Sequence, residues 1–226
     1  MSAIRYQDDS QGIRSILIDR PETRNAIDAE VVAGINRGLE TAPGPVVVLG
    51  STDPRAFSSG ADLDLPDQAR AEVSDSLYRL YRFMRDSAKI IVAAASGPAV
   101  GGGAQLLIAA DLRIVSPDVT IRFLGPGHGL VVGAWGLPSL VGRGRAMDLC
   151  LSMRTVGADE ALAIGLVDKV VEDPLASAFE YATAVAALDH SAVAAVKKVI
   201  AVSSVDDALE AERSHNSAWG GEVIRP

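Results

Sequence analysis

The sequence predicts an α/β protein built of βαβ units, with mostly parallel strands that are buried on both faces. Short aliphatic runs that are typical of buried strands, such as residues 89–95, alternate with segments whose apolar residues recur at helical spacing. Two glycine-centred loops, residues 56–63 and 96–105, each follow such a strand. The C-terminal part of the chain carries only helical patterns.

Length and composition limit the possible functions. A chain of 226 residues suffices for one large α/β domain, and 48% hydrophobic but only 4% aromatic residues predict a core of Ala, Val, Leu and Ile. The net charge of −8 argues against general binding to nucleic acid or to anionic membranes. No apolar run approaches the ~20 residues of a membrane-spanning helix, so we expect no membrane span.

The single cysteine bears on the cellular compartment that the protein occupies. Cys150 excludes an internal disulfide and fits a reducing cytosol, and the N-terminus has no hydrophobic signal segment. We therefore expect a cytoplasmic protein. Because apolar residues surround Cys150 in the sequence, the thiol is expected to be buried and inert.

The first half of the chain has clear element boundaries. Residues 13–18 and 45–49 are predicted strands that flank a helix with Asp28 as its N-cap. A second helix should end at about Ala88, with tyrosines that pack beside its apolar face. The residues that define these two apolar faces are Val31, Val32, Ile35, Leu39, Val73, Leu77, Leu80, Phe83 and Met84, with Tyr78 and Tyr81 beside the second.

The second half is more helical. We expect a helix around Cys150, a short helix over residues 157–164 that Gly165 ends, and then three C-terminal helices. These three cover residues 175–187, 192–202 and 205–218. The chain is thus predicted to have a core over residues 1–174 and a helical oligomerisation region over residues 175–226.

The glycine loops are the candidate site. Three consecutive glycines at a strand-to-helix junction let the backbone approach a ligand and leave helix N-terminal N–H groups free to donate. One such cluster is equally well a tight turn. Two loops of this kind can aim two N–H groups at one oxygen, which is how a carbonyl that becomes an oxyanion is held.

Five segments together resemble the enoyl-CoA hydratase/isomerase family, the crotonase superfamily, in the family's order. They are residues 20–27 (RPETRNAI), 56–63 (AFSSGADL), 96–103 (SGPAVGGG), 111–116 (DLRIVS) and 158–171 (ADEALAIGLVDKVV). The resemblance spans roughly residues 10–200. It implies a crotonase-like (ClpP/crotonase) fold, a spiral of βαβ units with a C-terminal helical region.

The resemblance also implies a ligand and its contacts. The ligand would be an acyl- or enoyl-CoA thioester, with no further cofactor and no metal, and the protein would form a homotrimer or hexamer. The Ala61 and Gly102 N–H groups match the oxyanion donors, and Arg24 and Ala26 match the segment along CoA. The first loop adds Asp62, Leu63 and Asp64. Asp62 is expected to fix loop geometry, and Asp64 stands where many relatives carry a basic residue near CoA.

The acid–base residues of the resemblance are missing. Family hydratases act on one water with two glutamates, and Gln105 and Gly125 occupy those positions here. Glutamine cannot take a proton at neutral pH and glycine has no side chain, so hydration is expected to be weak, altered or absent. Restoring both glutamates should recover part of the rate. His128 is the candidate substitute for proton transfer, or else an exposed loop histidine.

Several functions remain open. The main hypothesis is a family protein of fatty-acid metabolism that binds acyl- or enoyl-CoA, and the alternative is a non-catalytic acyl-CoA carrier or sensor that works with partner proteins. A serine hydrolase using Ser58 or Ser59 with His128 is disfavoured because no GxSxG elbow is present. Trp135 either walls the acyl pocket or lies in a trimer interface, to which the apolar residues 130–140 would contribute.

Overall fold

Two sheets organise the protein, for which a computed structural model describes residues 2–201, 209–210, 213–214 and 217. The main sheet has six strands, which in spatial order are β1 (Ile4–Asp8), β2 (Arg14–Ile18), β3 (Val46–Ser51), β4 (Ile90–Ala95), β6 (Leu112–Val115) and β9 (Lys169–Val170). The small sheet consists of β5 (Pro98–Val100), β7 (Thr120–Arg122) and β8 (Val156–Gly157). In the main sheet only the edge strand β1 is antiparallel to its neighbour.

Helices connect and cover the strands. They are α1 (Ala29–Thr41), α2 (Asp67–Asp86), α3 (Gly102–Ala109), α4 (Leu137–Val141), α5 (Arg143–Ser152), α6 (Ala158–Ala163), α7 (Pro174–Ala186) and α8 (His190–Ala201). Two short 3-10 turns, Pro21–Thr23 and Pro126–His128, lie in the loops. Across the described ranges, no helix combines the length and apolarity that a membrane crossing requires.

The main sheet is buried on both faces. In β3 the side chains of Val46 and Val48 pack with α7, whereas Val47 and Leu49 point to the side of α1, α2 and α3. This alternation follows from the two-residue period of a strand. The prediction of mostly parallel strands buried on both faces is confirmed.

Several predicted details are confirmed. Asp28 is the N-cap of α1, where its carboxylate accepts a hydrogen bond from the Val31 N–H at 2.9 Å. The predicted apolar face of α1 is buried, and both Tyr78 and Tyr81 of α2 are buried. Most of the predicted helix over residues 205–218 lies outside the described residues.

The prediction missed several short strands, among them β1 and β5, and did not place the glycines inside a helix. The second glycine loop contains β5, because Gly97, with φ +63°, turns the chain out of the main sheet into the small one. Helix α3 then begins at Gly102, inside the glycine run, so the glycines form its first turn. Strand β1 carries only one buried residue, Ile4, and therefore has no alternating apolar pattern to detect.

A buried lysine anchors the C-terminal helix α8 to the core. The Lys197 ammonium donates to the carbonyl oxygens of Met84 (2.8 Å) and Lys89 (2.7 Å) and to the Asp111 carboxylate (2.8 Å). Burial lowers the pKa of the Lys197 amine and raises the pKa of the Asp111 carboxyl. Three hydrogen bonds to one ammonium offset this desolvation, so α8 is fixed on its own chain.

Candidate active site

The two glycine loops lie against each other. The Ser58 N–H donates to Pro98 O at 3.1 Å, and the Val100 N–H donates to Ser58 O at 3.0 Å. A Cβ on Gly103 would lie 2.7 Å from the Ser58 Cβ and from the Ser58 carbonyl oxygen. Only glycine therefore allows the first turn of α3 to pack this closely on the first loop.

A third loop, residues 20–27, holds the first glycine loop in place. The fully buried Asn25 donates from Nδ2 to Ala56 O at 2.8 Å and accepts at Oδ1 from the Arg20 N–H at 2.9 Å. Arg24 O accepts from the Ser59 N–H at 2.9 Å. Sequence reasoning missed this role of Asn25. Its only signal was the position of Asn25 between two residues predicted to contact CoA.

Two N–H groups are available at the junction of the loops. Gly102 is the first residue of α3, so its N–H has no acceptor within the helix. In the described part of the chain, neither the Ala61 N–H nor the Gly102 N–H donates to another group. A Cβ on Gly60 would lie 3.5 Å from Gly102 N, which puts the residue before Ala61 in contact with the other donor.

Both donors line one mainly apolar cavity of about 190 Å³. Its walls come from the two loops, from one face of α2, from the start of α3 and from the segment that follows β7. The lining residues are Ser59, Gly60, Ala61, Leu63, Arg70, Ala71, Ser74, Leu77, Tyr78, Val100, Gly101, Gly102, Gln105, Leu124, His128, Leu130 and Val132. None of these described lining residues is Asp or Glu.

The predicted binding residues divide into two groups. Ala61, Gly102 and Leu63 line the cavity, whereas Arg24 and Ala26 lie in the adjacent loop and do not. Arg24 is exposed and Ala26 is buried. The loop of residues 20–27 thus contacts the first glycine loop but does not itself line the cavity.

Polar contacts fix the C-terminal end of the first glycine loop, around Asp62 and Leu63. The Asp62 carboxylate accepts from the Asp64 N–H at 3.1 Å and from Arg20 Nη2 at 3.3 Å. On the opposite side, Arg70 Nη1 donates to the carbonyl oxygens of Leu63 and Leu65, both at 3.1 Å. Arg70 had not been predicted as a site residue, because the sequence around it shows only a polar patch.

Comparison with known proteins decides the family. A sequence model described as enoyl-CoA hydratase/isomerase matches residues 8–223 of the chain. The chain belongs to this family. A Mycobacterium tuberculosis protein described as a probable enoyl-CoA hydratase is 32% identical over 224 residues, which cover 95% of this chain and 90% of that protein. A Bacillus subtilis enoyl-CoA hydratase/isomerase family relative is 32% identical over 198 residues, 82% of this chain and 76% of its own length.

Solved structures of enoyl-CoA hydratases confirm the predicted fold class. One from Mycobacterium avium subsp. paratuberculosis has a TM-score of 0.85 and 30% identity and covers 96% of this chain and 93% of its own. One from Bacillus halodurans also has a TM-score of 0.85, with 26% identity, and covers 96% and 94% of the two chains. The crotonase-like architecture is therefore shared over nearly the whole chain.

Gln105, at the first predicted glutamate position of the family, is 5% exposed and lines the cavity. Its Oε1 accepts from the Gly133 N–H at 3.0 Å and from Trp135 Nε1 at 2.8 Å. Since both partners are donors, only the amide oxygen can face them. The Nε2 amide group is left for the cavity, and among the described residues it has no acceptor.

Gly125, at the second predicted glutamate position, has no room for a side chain. A Cβ there would lie 2.7 Å from Leu130 O and 3.0 Å from Val132 N, both backbone atoms. The neighbouring Leu124 lines the cavity and Gly125 does not. A glutamate at position 125 would therefore have to displace this backbone before its carboxylate could face the cavity.

His128 lies half-buried on the Pro126–His128 turn and lines the cavity. Its turn is held from outside by the Gly127 N–H, which donates to Met153 Sδ at 3.3 Å. Among the lining residues in the described ranges, His128 is the one that carries an imidazole. The cavity therefore combines two backbone N–H groups without an acceptor and one imidazole side chain.

The remaining candidate residues are engaged elsewhere. The buried Ser58 donates its hydroxyl to Asn25 O at 2.8 Å, and the Ser59 hydroxyl donates to Thr23 O at 3.1 Å, so neither is paired with His128. Trp135 is buried within its own chain and stacks on Tyr81, with ring centroids 5.7 Å apart. Cys150 is half-buried and contacts Val132 O at 3.5 Å.

Proposed function

We propose that this protein binds acyl- or enoyl-CoA thioesters in the cavity, in fatty-acid metabolism, and hydrates them weakly or not at all. The thioester oxygen would accept from the Ala61 and Gly102 N–H groups, and the acyl chain would lie among the apolar lining residues. The observation that carries the proposal is a cavity that keeps both donors but has no carboxylate among its described lining residues.

The chemistry that such a cavity supports is limited. One oxyanion donor supplies roughly 3–4 kcal/mol to a developing negative charge, which favours enolisation of a bound thioester. Hydration needs in addition an acid and a base on one water, each of which contributes about 10²- to 10⁴-fold. Gln105 can do neither, and His128 is a single group. We therefore expect the cavity to bind the thioester carbonyl strongly and to transfer protons weakly.

Calorimetric titration with crotonyl-CoA and with free CoA tests the binding. We expect crotonyl-CoA to bind more tightly than free CoA, because only the thioester offers an oxygen to the two N–H groups. Equal affinity for both ligands would place the acyl group outside the cavity, and no binding of either would refute the proposed function.

A non-catalytic acyl-CoA carrier or sensor is the second candidate. The absence of a carboxylate at the described cavity wall favours it as much as it favours a weak enzyme. The two differ in turnover at saturating thioester. A carrier would show neither hydration nor exchange of the thioester α-protons with D₂O, whereas a weak enzyme would show at least the exchange.

We also propose that the chain assembles as a trimer or as a dimer of trimers. In support, apolar side chains of α8 stay exposed although Lys197 anchors this helix to the core; they are Val196, Val199 and Ile200. The segment 130–140, in contrast, buries Val132, Trp135 and Leu137 in its own chain and offers less surface than expected. Sedimentation velocity should show the oligomer and its weakening by Ile200→Glu, and a stable wild-type monomer at micromolar concentration would contradict it.

A further inference from the structure

Met153, at the C-terminal end of α5, contacts the turn that carries His128. Its Sδ accepts from the Gly127 N–H at 3.3 Å, and a Cβ on Gly127 would lie 3.2 Å from Met153 Cε. The N–H groups of the three residues after Gly127 donate to carbonyl oxygens of the same loop. The thioether is thus the contact through which the end of α5 holds this turn.

The backbone of Met153 is held from the other side. Met153 has φ +51°, a left-handed conformation that non-glycine residues rarely adopt and that persists only where the surrounding structure imposes it. Its carbonyl oxygen accepts from Arg122 Nε at 3.1 Å, and Arg122 O accepts from the Gly101 N–H at 2.9 Å. The start of the side chain is therefore fixed relative to the second glycine loop, so a change in the thioether acts on the exposed turn.

The thioether lies where a peroxide can reach it. Met153 is half-buried and packs against the exposed Gly127, whereas Met84 is fully buried. An accessible thioether forms a sulfoxide, which methionine sulfoxide reductases reverse. In this step a sulfur lone pair attacks one peroxide oxygen, so that an S–O bond forms and the O–O bond breaks. The departing hydroxide takes up the proton and leaves as water; sulfur is oxidised and the peroxide is reduced.

The sulfoxide does not fit the contact that the thioether makes. An N–H···O hydrogen bond needs about 2.7–3.2 Å between nitrogen and oxygen. Because Met153 Sδ is itself only 3.3 Å from Gly127 N, an oxygen added on this side would come far closer than that. An oxygen on another side leaves the N–H facing a sulfur that has given up electron density. In both cases the turn loses its present contact, and the imidazole of His128, the next residue, moves at the cavity wall.

We propose that Met153 is an oxidation site, and that oxidants of the peroxide class act through it on the part of the cavity wall that His128 forms. Reduction of the sulfoxide returns the turn to its place. Met147 on α5 offers a comparison, because it is 51% exposed and does not line the cavity. Neither the oxidation nor the movement of the turn requires a thioester, so both are independent of the proposed function.

The test follows the imidazole signal of His128 by NMR in the full chain while hydrogen peroxide is added. Peptide mapping by mass spectrometry identifies the methionines that gain oxygen, and the His128→Gln variant assigns the signal. We expect the His128 signal to shift as Met153 gains oxygen and to return when a methionine sulfoxide reductase is added. The buried Met84 should stay unoxidised in the folded protein.

Two variants remove the thioether and keep the other three methionines. Met153→Leu preserves an apolar side chain of similar size, and Met153→Gly suits the positive φ, so both should keep the fold. We expect peroxide to leave the His128 signal unshifted in both. Met147→Leu is the matched control, because it removes the exposed methionine of α5, and the shift should persist in it.

Three results would overturn the proposal. Met153 could stay unoxidised while Met147 is converted, Met153 could gain oxygen without a shift of the His128 signal, or the shift could persist in a folded variant that lacks the thioether. Should neither variant fold, the cycle of oxidation and enzymatic reduction in the wild-type protein decides the proposal on its own.

Discussion

The cavity has two walls that differ in the groups they present, backbone N–H groups at one wall and side chains at the other. At one wall the functional groups are backbone N–H groups of Ala61 and Gly102, whose positions follow from the packing of two loops on each other. At the other wall the groups are the side chains of Gln105 and His128, neither of which is a carboxylate, and the nearby Gly125 has no side chain. The comparison teaches that the placement of backbone donors is a property of the fold, whereas the presence of a carboxylate depends on the residue at a single position.

The largest effect is expected when a side chain is forced into the loop beside the second wall, at Gly125. Gly125→Glu places a Cβ 2.7 Å from Leu130 O, so we expect a loss of about 3 kcal/mol in the free energy of unfolding and a Tm lower by roughly 10 °C. Gly144→Glu is the control, because no atom lies within 4 Å of a Cβ there. Equal Tm values for the two variants in thermal denaturation would contradict the steric exclusion of a side chain at Gly125.

The next effect concerns the first wall. Gly102→Pro removes one donor, and proline fits the first position of a helix, so the fold should be kept. We expect acyl-CoA affinity to fall about tenfold or more, whereas Gly102→Ala retains the N–H and meets only the end of the Leu77 side chain at 3.3 Å. Titration of both variants isolates the donor. Unchanged affinity in folded Gly102→Pro would show that the thioester lies elsewhere.

A separate effect, on proton exchange rather than on affinity, tests His128. If His128 removes an α-proton from a bound thioester, His128→Gln should lower the exchange of α-protons with D₂O by about 10²-fold while binding stays within a fewfold of the wild type. NMR of a saturated acyl-CoA measures this exchange. The exposed His190 on α8 provides the control variant, His190→Gln. Exchange that persists in His128→Gln assigns the base to another group.

The smallest effect concerns Asp19, which does not line the cavity. It tests how the free energy of unfolding depends on pH, rather than the chemistry of the site. The Thr52 hydroxyl at 2.5 Å, and then Arg5, hold the pKa of Asp19 below its usual value. This stabilisation is present above the unfolded pKa and is lost as the pH falls through the folded pKa. Asp19→Asn should thus cost about 1 kcal/mol near pH 6, and its Tm difference from wild type should shrink towards pH 3. A constant difference would contradict this.

How far the sequence predicted the structure depended on the kind of signal. Periodic apolar patterns and the N-cap Asp28 correctly gave α1, α2 and the central strands, because burial sets those patterns directly. The short strand β5 was missed because proline and glycine in the same segment indicate a turn, and only the three-dimensional pairing with β7 makes it a strand.

The candidate site was predictable in part for a similar reason. Ala61, Gly102 and Gln105 were named because the two glycine loops resemble the motifs of the family, and all three line the cavity. The partners of Gln105 could not be predicted, since Gly133 and Trp135 are distant in sequence and have no pattern in common. Nor could sequence alone show that Leu130 O excludes a side chain from Gly125, because that contact depends on how the following loop folds back.

The most direct test of the central claim is the rate of crotonyl-CoA hydration at saturating thioester, measured beside a family relative that has both glutamates. We predict that this protein binds crotonyl-CoA and hydrates it at least about 10³-fold more slowly, because two proton-transfer groups that each supply about 10²-fold or more are absent. A rate equal to that of the two-glutamate relative would contradict the account.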